Sequence, residues 1–475
     1  MSIGSADKQS ASEENPASGS DSLVAKLILV TLLTAELLIQ VDQTIANVAL
    51  PYIQRDLGFT DSGLPWVVNA YGLLYGGLLL LGGRIGDVFG RRRILVVGVT
   101  LFSLASVVCG LSPDPTVMVI ARAVQGAGGA LTAPVVLALI ITSFAEGPSR
   151  QRALALWGSA SAAGALFGLL IGGLLTSGPG WEISFFIAVP IGLLVVVLGG
   201  RTIRESRAEE RPSLDVAGAV TVTAAMLLTV FAFLDTEDSW TSPMRGGFLV
   251  IAAALLVVFG VVERKQVHPV VPLRIFKLRN TNAALLIMML FGVTQMSYFF
   301  FVTLYLQKIL GFNALQTGLA YLPLIGTLLV FAQICMKTIG KVGMKQMLTL
   351  GLLSLGLGMG WLGLAADSGT FVSTVLGPTI LSGIGLGLTM MPATTAATTG
   401  IPPADAGAVS GLFQTSILVG GSVGLAVLTT VTQAAGGLEA THGYTVAFLS
   451  CAGVMAVALL IATLIIRIPR QADTA

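Results

Sequence analysis

Long apolar runs alternate with short polar connections along the whole chain. Runs of about 18–28 residues fall near 26–51, 64–83, 94–111, 116–142, 153–176, 183–200, 214–234, 246–263, 282–307, 315–336, 346–366, 371–393, 406–433 and 443–466. A membrane-spanning helix needs roughly 20 apolar residues. The pattern therefore predicts an all-α integral membrane protein of fourteen transmembrane helices. An even number of spans puts both termini on one side. The Ser-rich stretch 1–22 reads as a disordered tail, and 468–475 as a short tail on the same side. The first apolar run follows that tail and is too long for a cleaved leader, so it reads as a membrane helix.

Composition strengthens this picture. Charged residues make up only 11% of the 475, against about 25% in a soluble domain. The net charge of +2 gives no reason to expect nucleic acid, because here the location of charge matters more than its sum. Of the 26 Lys and Arg residues, all but Arg55, Arg122, Arg245 and Lys308 fall in one alternate set of loops and at the termini. Such a bias marks the cytoplasmic side, so both termini are expected there, in a plasma (bacterial inner) membrane. Cys109, Cys335 and Cys451 lie in separate apolar runs without metal-ligand spacing and read as small buried hydrophobes. His268 and His442 form no ligand cluster, and no metal is expected.

Two connections, 201–213 and 264–281, are longer and more charged than the others. They divide the chain into a six-helix bundle over 23–200, an inserted two-helix segment with its flanking loops over 201–281, and a second six-helix bundle over 282–467. Two bundles about a central site suit a secondary transporter, not an enzyme. No Gly-x-x-x-x-Gly-Lys-Ser/Thr loop occurs, so a proton gradient is the expected energy source and no cofactor is expected.

Ionisable residues inside the spans are costly and so carry information. On the first helix Glu36, Gln40, Gln43 and Asn47 are spaced four, three and four, which stacks them on one face. That stripe reads either as a polar seam between helices or as the wall of a water-lined cavity. Asp42 projects roughly 120° away from it. Arg122 is the one cation within a predicted span; it lies ~9 Å from the outer end of helix four, and Asp42 ~13 Å from the outer end of helix one. The two can meet, as a static ion pair or as a pair poised to exchange protons. Between helices two and three, Gly83, Asp87 and Gly90 precede Arg91, Arg92 and Arg93. The glycines allow a tight turn, and Asp87 can cap a helix or pair with an arginine.

These residues carry a family resemblance. The loop 83–93 resembles the signature of the major facilitator superfamily, and MVIARAVQGAGGA at 118–130 is similar to its helix-four motif, with Arg122, Gln125 and Gly126 on marked positions. Residues 41–51, 318–323 and 410–424 resemble the fourteen-helix drug:proton antiporter branch. The resemblance implies the major facilitator fold and proton-coupled export. It also implies roles in coupling for Asp42 and Arg122, with Glu36 beside them, and in conformational switching for Gly83, Asp87, Gly90, Arg91 and Arg92. Helix five departs from the branch pattern, with Leu169 where a proline is usual. Gly164, Gly168, Gly172 and Gly173 still offer a small-residue face for close helix packing. Glu182 and Ile417 stand where arginines are common.

Chemistry suggests the substrate contacts. Gln40, Gln43, Asn47, Trp66, Asn69, Tyr71, Gln125, Gln295, Tyr298 and Gln414 are candidate cavity residues, although aromatics at helical spacing also pack or face lipid. A wide apolar cavity with few polar anchors suits amphiphilic small molecules. The leading expectation is a monomeric exporter of such compounds (multidrug or antibiotic efflux) in exchange for protons across the lipid bilayer. Transport of one defined metabolite is a second reading. A non-transporting membrane sensor or scaffold is a third, and it gains nothing from the buried charges.

Overall fold

A computed structural model describes residues 19–145, 147–207, 215–234, 243–265, 273–401 and 406–466. Fourteen helices in it are long and apolar enough to cross a membrane. They are α1 Gly19–Leu57, α2 Trp66–Phe89, α3 Arg91–Gly110, α4 Pro115–Ser143, α5 Pro148–Ser177 and α6 Trp181–Thr202. Next come α7 Val216–Leu234, α8 Pro243–Lys265, α9 Arg279–Ile309, α10 Ala314–Val342, α11 Met344–Ala365 and α12 Phe371–Thr398. The last two are α13 Ala406–Ala434 and α14 Thr441–Leu464. Each predicted span coincides with one of them. One boundary needs correction, because α1 already begins at Gly19, inside the stretch read as a disordered tail. Most of both predicted tails, with His268 and parts of the two charged connections, lies outside the described residues.

The packing divides the chain into two bundles and an inserted pair. In the first half α1 packs on α5, and α2 and α3 pack on α4. The second half repeats this with α9 on α13, and α10 and α11 on α12. A shift of eight helices maps one set of pairings onto the other, the mark of an internal structural repeat. Helices α7 and α8 pair with each other and lie across the junction, where α7 touches α2 and α13. Trp66 of α2 stacks near Phe231 at 6.0 Å, and Thr430 of α13 donates to the Phe233 carbonyl at 2.7 Å. Val250 and Val257 of α8 are exposed, as suits a lipid-facing surface.

Lipid tails are as apolar as leucine, so helices in a bilayer are held by close approach more than by water exclusion. Helix α5 shows how the sequence achieves this. A methyl added at Gly164 would meet Gln40 Cβ at 2.7 Å, one at Gly168 would collide with Thr44 and Val41, and one at Gly172 would meet Ile45 at 3.0 Å. The face predicted from glycine spacing is thus the α1–α5 interface. Gly173 looks the other way, with the Ala314 carbonyl of α10 2.7 Å from where its Cβ would stand.

The two halves meet unequally at their two ends. The near end is that of the α1 N-terminus; the far end is its opposite. At the far end α5 packs on Ala314–Ala320 of α10, and the Leu315 backbone N–H donates to Ser177 Oγ at 2.9 Å. Gln307 of α9 donates to the Val48 carbonyl of α1 at 2.9 Å. Toward the near end α5 has no comparable packing against Leu322–Val342, nor α4 against α12. Among the described residues, α2 and α13 stay together along their length, through Gly72 beside Ser422, Gly76 beside Leu418 and Gly411 beside Leu80. Among the described residues the bundles pack against each other at the far end and part at the near end, with α2–α13 as a continuous seam.

Gly168→Leu is expected to force α1 and α5 apart and to cost about 1–3 kcal/mol of stability, the usual penalty for overpacking. Gly158→Leu, where an added Cβ meets nothing within 4 Å, is the matched control and is expected to be neutral. Thermal unfolding of the purified variants, followed by loss of monodisperse protein, checks the difference.

Candidate functional site

Four helices of the first half converge on one buried network. Arg122 of α4 donates through Nη1 to Asp42 Oδ2 of α1 at 2.7 Å, with Arg122 1% exposed and Asp42 4%. The same Nη1 reaches Gln125 Oε1 at 2.6 Å, and Nε reaches the Val67 carbonyl of α2 at 2.9 Å. Gln125 Nε2 lies 2.6 Å from Asp42 Oδ1 and 2.7 Å from Ser106 Oγ of α3. Arg122 and Gln125, three residues apart, share a face of α4, so one helix serves both carboxylate oxygens. The guanidinium also lies over the Tyr71 ring at 4.6 Å, with the Phe185 ring of α6 at 5.8 Å.

Burying two opposite charges costs several kcal/mol per ion, repaid only where geometry is good and the remaining hydrogen-bonding capacity is filled. Both oxygens of Asp42 are filled here, so the ionised pair is the state this geometry favours. A proton on Asp42 would cancel its attraction to Arg122 and turn an acceptor toward a donor. The network ties α1 to α4 through Asp42, Arg122 and Gln125.

The polar stripe on α1 meets different partners. Glu36 is buried, taking an N–H from Gln40 at 2.9 Å and the indole N–H of Trp157 on α5 at 3.0 Å. Both donors are neutral. Gln40 and Gln43 are half-buried, Gln43 lies 3.4 Å from the Tyr71 hydroxyl, and Asn47 is buried and bonded to the Gln43 carbonyl at 2.8 Å. The stripe is partly a seam and partly an open wall.

Several residues read as cavity lining are placed otherwise and need correction. Tyr71 and Gln125 belong to the charge network. Tyr298 is buried and donates to Thr379 Oγ1 at 3.0 Å. Asn69 is fully buried, with neither amide atom hydrogen-bonded. Trp66 packs on the inserted pair. Gln295 is half-buried and Gln414 exposed. Polar side chains that find partners inside a bundle leave its cavity, and spacing along one helix does not show which will do so.

The loop at the near end is held by its own half. Gly90 has φ of 113°, a left-handed value suited to glycine. Asp87 accepts from Arg91 Nε at 2.9 Å and Nη2 at 2.7 Å, so of its two predicted roles it takes the ion pair. Gly83 faces Pro134 of α4. Glu205, beyond the end of α6, accepts the Arg92 backbone N–H at 3.0 Å and lies 3.7 Å from the Arg92 and Arg93 side chains. It caps the positive end of α3. Arg84 lies within the electrostatic influence of Glu263, Asp215 and Asp87. Ser106, Trp157 and Glu205 are absent from the sequence-based candidates. A lone acid among Arg201, Arg204 and Arg207 is the signal that could have found Glu205.

Fold and site together define a polytopic membrane transporter rather than an enzyme. The Major Facilitator Superfamily model matches residues 32–425, and the chain belongs to that superfamily. It is 38% identical to the puromycin resistance protein of Streptomyces alboniger, over 92% of this chain and 90% of that one. It is also 38% identical to the cephamycin export protein of Amycolatopsis lactamdurans, over 86% and 85%. The multidrug resistance protein Stp of Mycobacterium tuberculosis is 33% identical over 84% of this chain and 74% of its own. Among solved structures, a POT family transporter superposes with a TM-score of 0.70 at 16% identity, covering 91% of this chain and 94% of that one, which supports the fold alone.

Removing one partner of a buried pair leaves an uncompensated charge. Arg122→Met is therefore expected to cost about 3–5 kcal/mol of stability. Adding Asp42→Asn to it is expected to recover part of that loss. Melting curves of wild type, both single variants and the double variant measure the coupling.

Proposed function

We propose that this protein exports amphiphilic antibiotic-like compounds in exchange for protons by alternating access. The observation that carries the reading is the buried Asp42–Arg122–Gln125 network, a protonatable tie between α1 and α4. The relatives named for puromycin resistance, cephamycin export and multidrug resistance support the substrate class. The Lys and Arg bias supports cytoplasmic termini in a bacterial inner membrane, so the parted near end faces the cytoplasm.

In this scheme substrate enters from the cytoplasm while Asp42 is ionised and α1 is held to α4. The compound then leaves at the far side, and a proton arriving from there neutralises Asp42 and frees α1 to move back. Release of that proton to the cytoplasm restores the ion pair with Arg122. The proton gradient is the energy source, with no cofactor, and one chain is the working unit in the bilayer. Glu36 serves as the anchor for cationic groups, because its carboxylate is satisfied only by the neutral donors Gln40 and Trp157. A cation could take the place of either donor. The Gly83–Arg93 loop, with Asp87, Gly90, Arg91 and Arg92, acts in switching rather than in contact with substrate, since it lies at the near end.

Everted vesicles exposed to a panel of cationic and neutral antibiotics test the scheme through proton release on compound addition. Wild type is expected to release protons with several compounds, and Asp42→Asn to release none while remaining folded in the membrane. Glu36→Gln is expected to lose cationic compounds more than neutral ones. Normal coupling in Asp42→Asn would remove the coupling assignment. Equal losses in Glu36→Gln would make Glu36 a packing residue.

A further inference from the structure

The last turn of α9, Tyr305–Ile309, is wound as a π-helix, with the Leu310 N–H bonded to the Tyr305 carbonyl at 3.1 Å. Such turns redirect side chains and recur at functional positions. Here the turn faces both halves of the molecule. Tyr305 anchors it in the second half, donating to the Ala366 carbonyl at 2.7 Å and packing on Tyr444 at 5.5 Å. The next two residues after Leu306 reach out. Gln307 crosses to the Val48 carbonyl of α1. Lys308 places Nζ 3.1 Å from Asp61, in the α1–α2 connection of the first half, and 3.0 Å from Glu439, in the α13–α14 connection of the second.

Among ion pairs between described residues, Lys308–Asp61 is the one that joins the two bundles. It is better sheltered than an ordinary surface pair, with the Lys308 and Asp61 side chains 18% and 24% exposed. Asp61 is held in place by Gln54 Nε2 of α1 at 2.5 Å. Glu439 is 80% exposed and so adds less. Lys308 is also one of the few basic residues at an end where the chain otherwise avoids them. The neighbouring contacts between Ser177 and Leu315 and between Gly173 and Ala314 lie at the same level and need the same closure.

We propose that Lys308, through Asp61, is the latch that holds the far-end gate closed, and that it positions the bundles for the transport cycle without touching substrate. The idea rests on the alternating-access reading above, in which that gate must open for release. Breaking the latch lets α1 and the first connection swing away from α9, while α2–α13 keeps the halves joined. An exporter with a weaker latch spends more time open to the outside.

The test measures the gate directly. Spin labels at Thr60 and His442, both exposed and on opposite halves, report the far-end distance in purified protein in lipid nanodiscs. Cys109, Cys335 and Cys451 are buried, leaving the label to the introduced sites. Lys308→Gln is expected to raise the separated population roughly five- to tenfold, at or above the upper end for exposed pairs because this one is sheltered. Asp61→Asn is expected to do the same, and the double variant no more than either single, since they break one interaction. Lys308→Arg is expected to match wild type, and Glu439→Gln to shift the population less than Asp61→Asn. Wild-type distances in both folded single variants would overturn the latch, as would additive shifts in the double variant. Because the readout needs neither substrate nor a proton gradient, a failure of the export reading would leave these distances unaffected.

Discussion

A carboxylate and a guanidinium buried inside an apolar bundle persist only while each meets the other's demand for charge and hydrogen bonds. Asp42 and Arg122 meet that condition with the help of Gln125, Ser106 and the Val67 carbonyl, so five groups on four helices depend on one charge state. Everything that holds α1, α2, α3 and α4 in register around this point has a reason to be close-packed. Looseness would admit water and weaken the pair, since attraction between charges falls as the local dielectric rises.

That packing comes from small residues more than from large ones. Gly126 lies against the Tyr71 backbone and Gly128 against Phe102, which brings α4 close to α2 and α3. Gly164, Gly168 and Gly172 bring α5 onto α1. In the second half Gly292 and Gly421 bring α9 and α13 together. Interfaces of this kind favour rigid bundles that move against each other as units. The α2–α13 seam, built from Gly72, Gly76 and Gly411 with Leu80, Leu418 and Ser422, is where such units can stay in contact while the far and near ends exchange roles.

Much of this was legible in the sequence, for physical reasons. Apolar length sets the spans, because a bilayer tolerates no unsatisfied backbone. Rise per residue put Asp42 and Arg122 at depths where they could meet, and the structure shows that they do. Glycine spacing marked a close-packing face on α5, though not its partner α1. Partners far apart in sequence were not legible. Trp157 reaches Glu36 across 121 positions, and Glu205 reaches Arg92 across 113. Asn69, Tyr71 and Tyr298 read as cavity residues because they are polar or aromatic, yet the bundle buries them. Helix α5 runs unbroken through Leu169, whose carbonyl lies under Gly318 of α10, so the helix is continuous at a contact between the halves.

Infrared difference spectroscopy of the protein in lipid, stepped from alkaline to acidic pH, reads the protonation of buried carboxyls directly. The account requires a protonated-carboxyl band to grow on acidification in wild type and to be missing in Asp42→Asn. The same band should change again when an exported compound is added. If the band persisted unchanged in Asp42→Asn, or if no buried carboxyl took up a proton across the range in which transport runs, the charge switch between α1 and α4 would be contradicted.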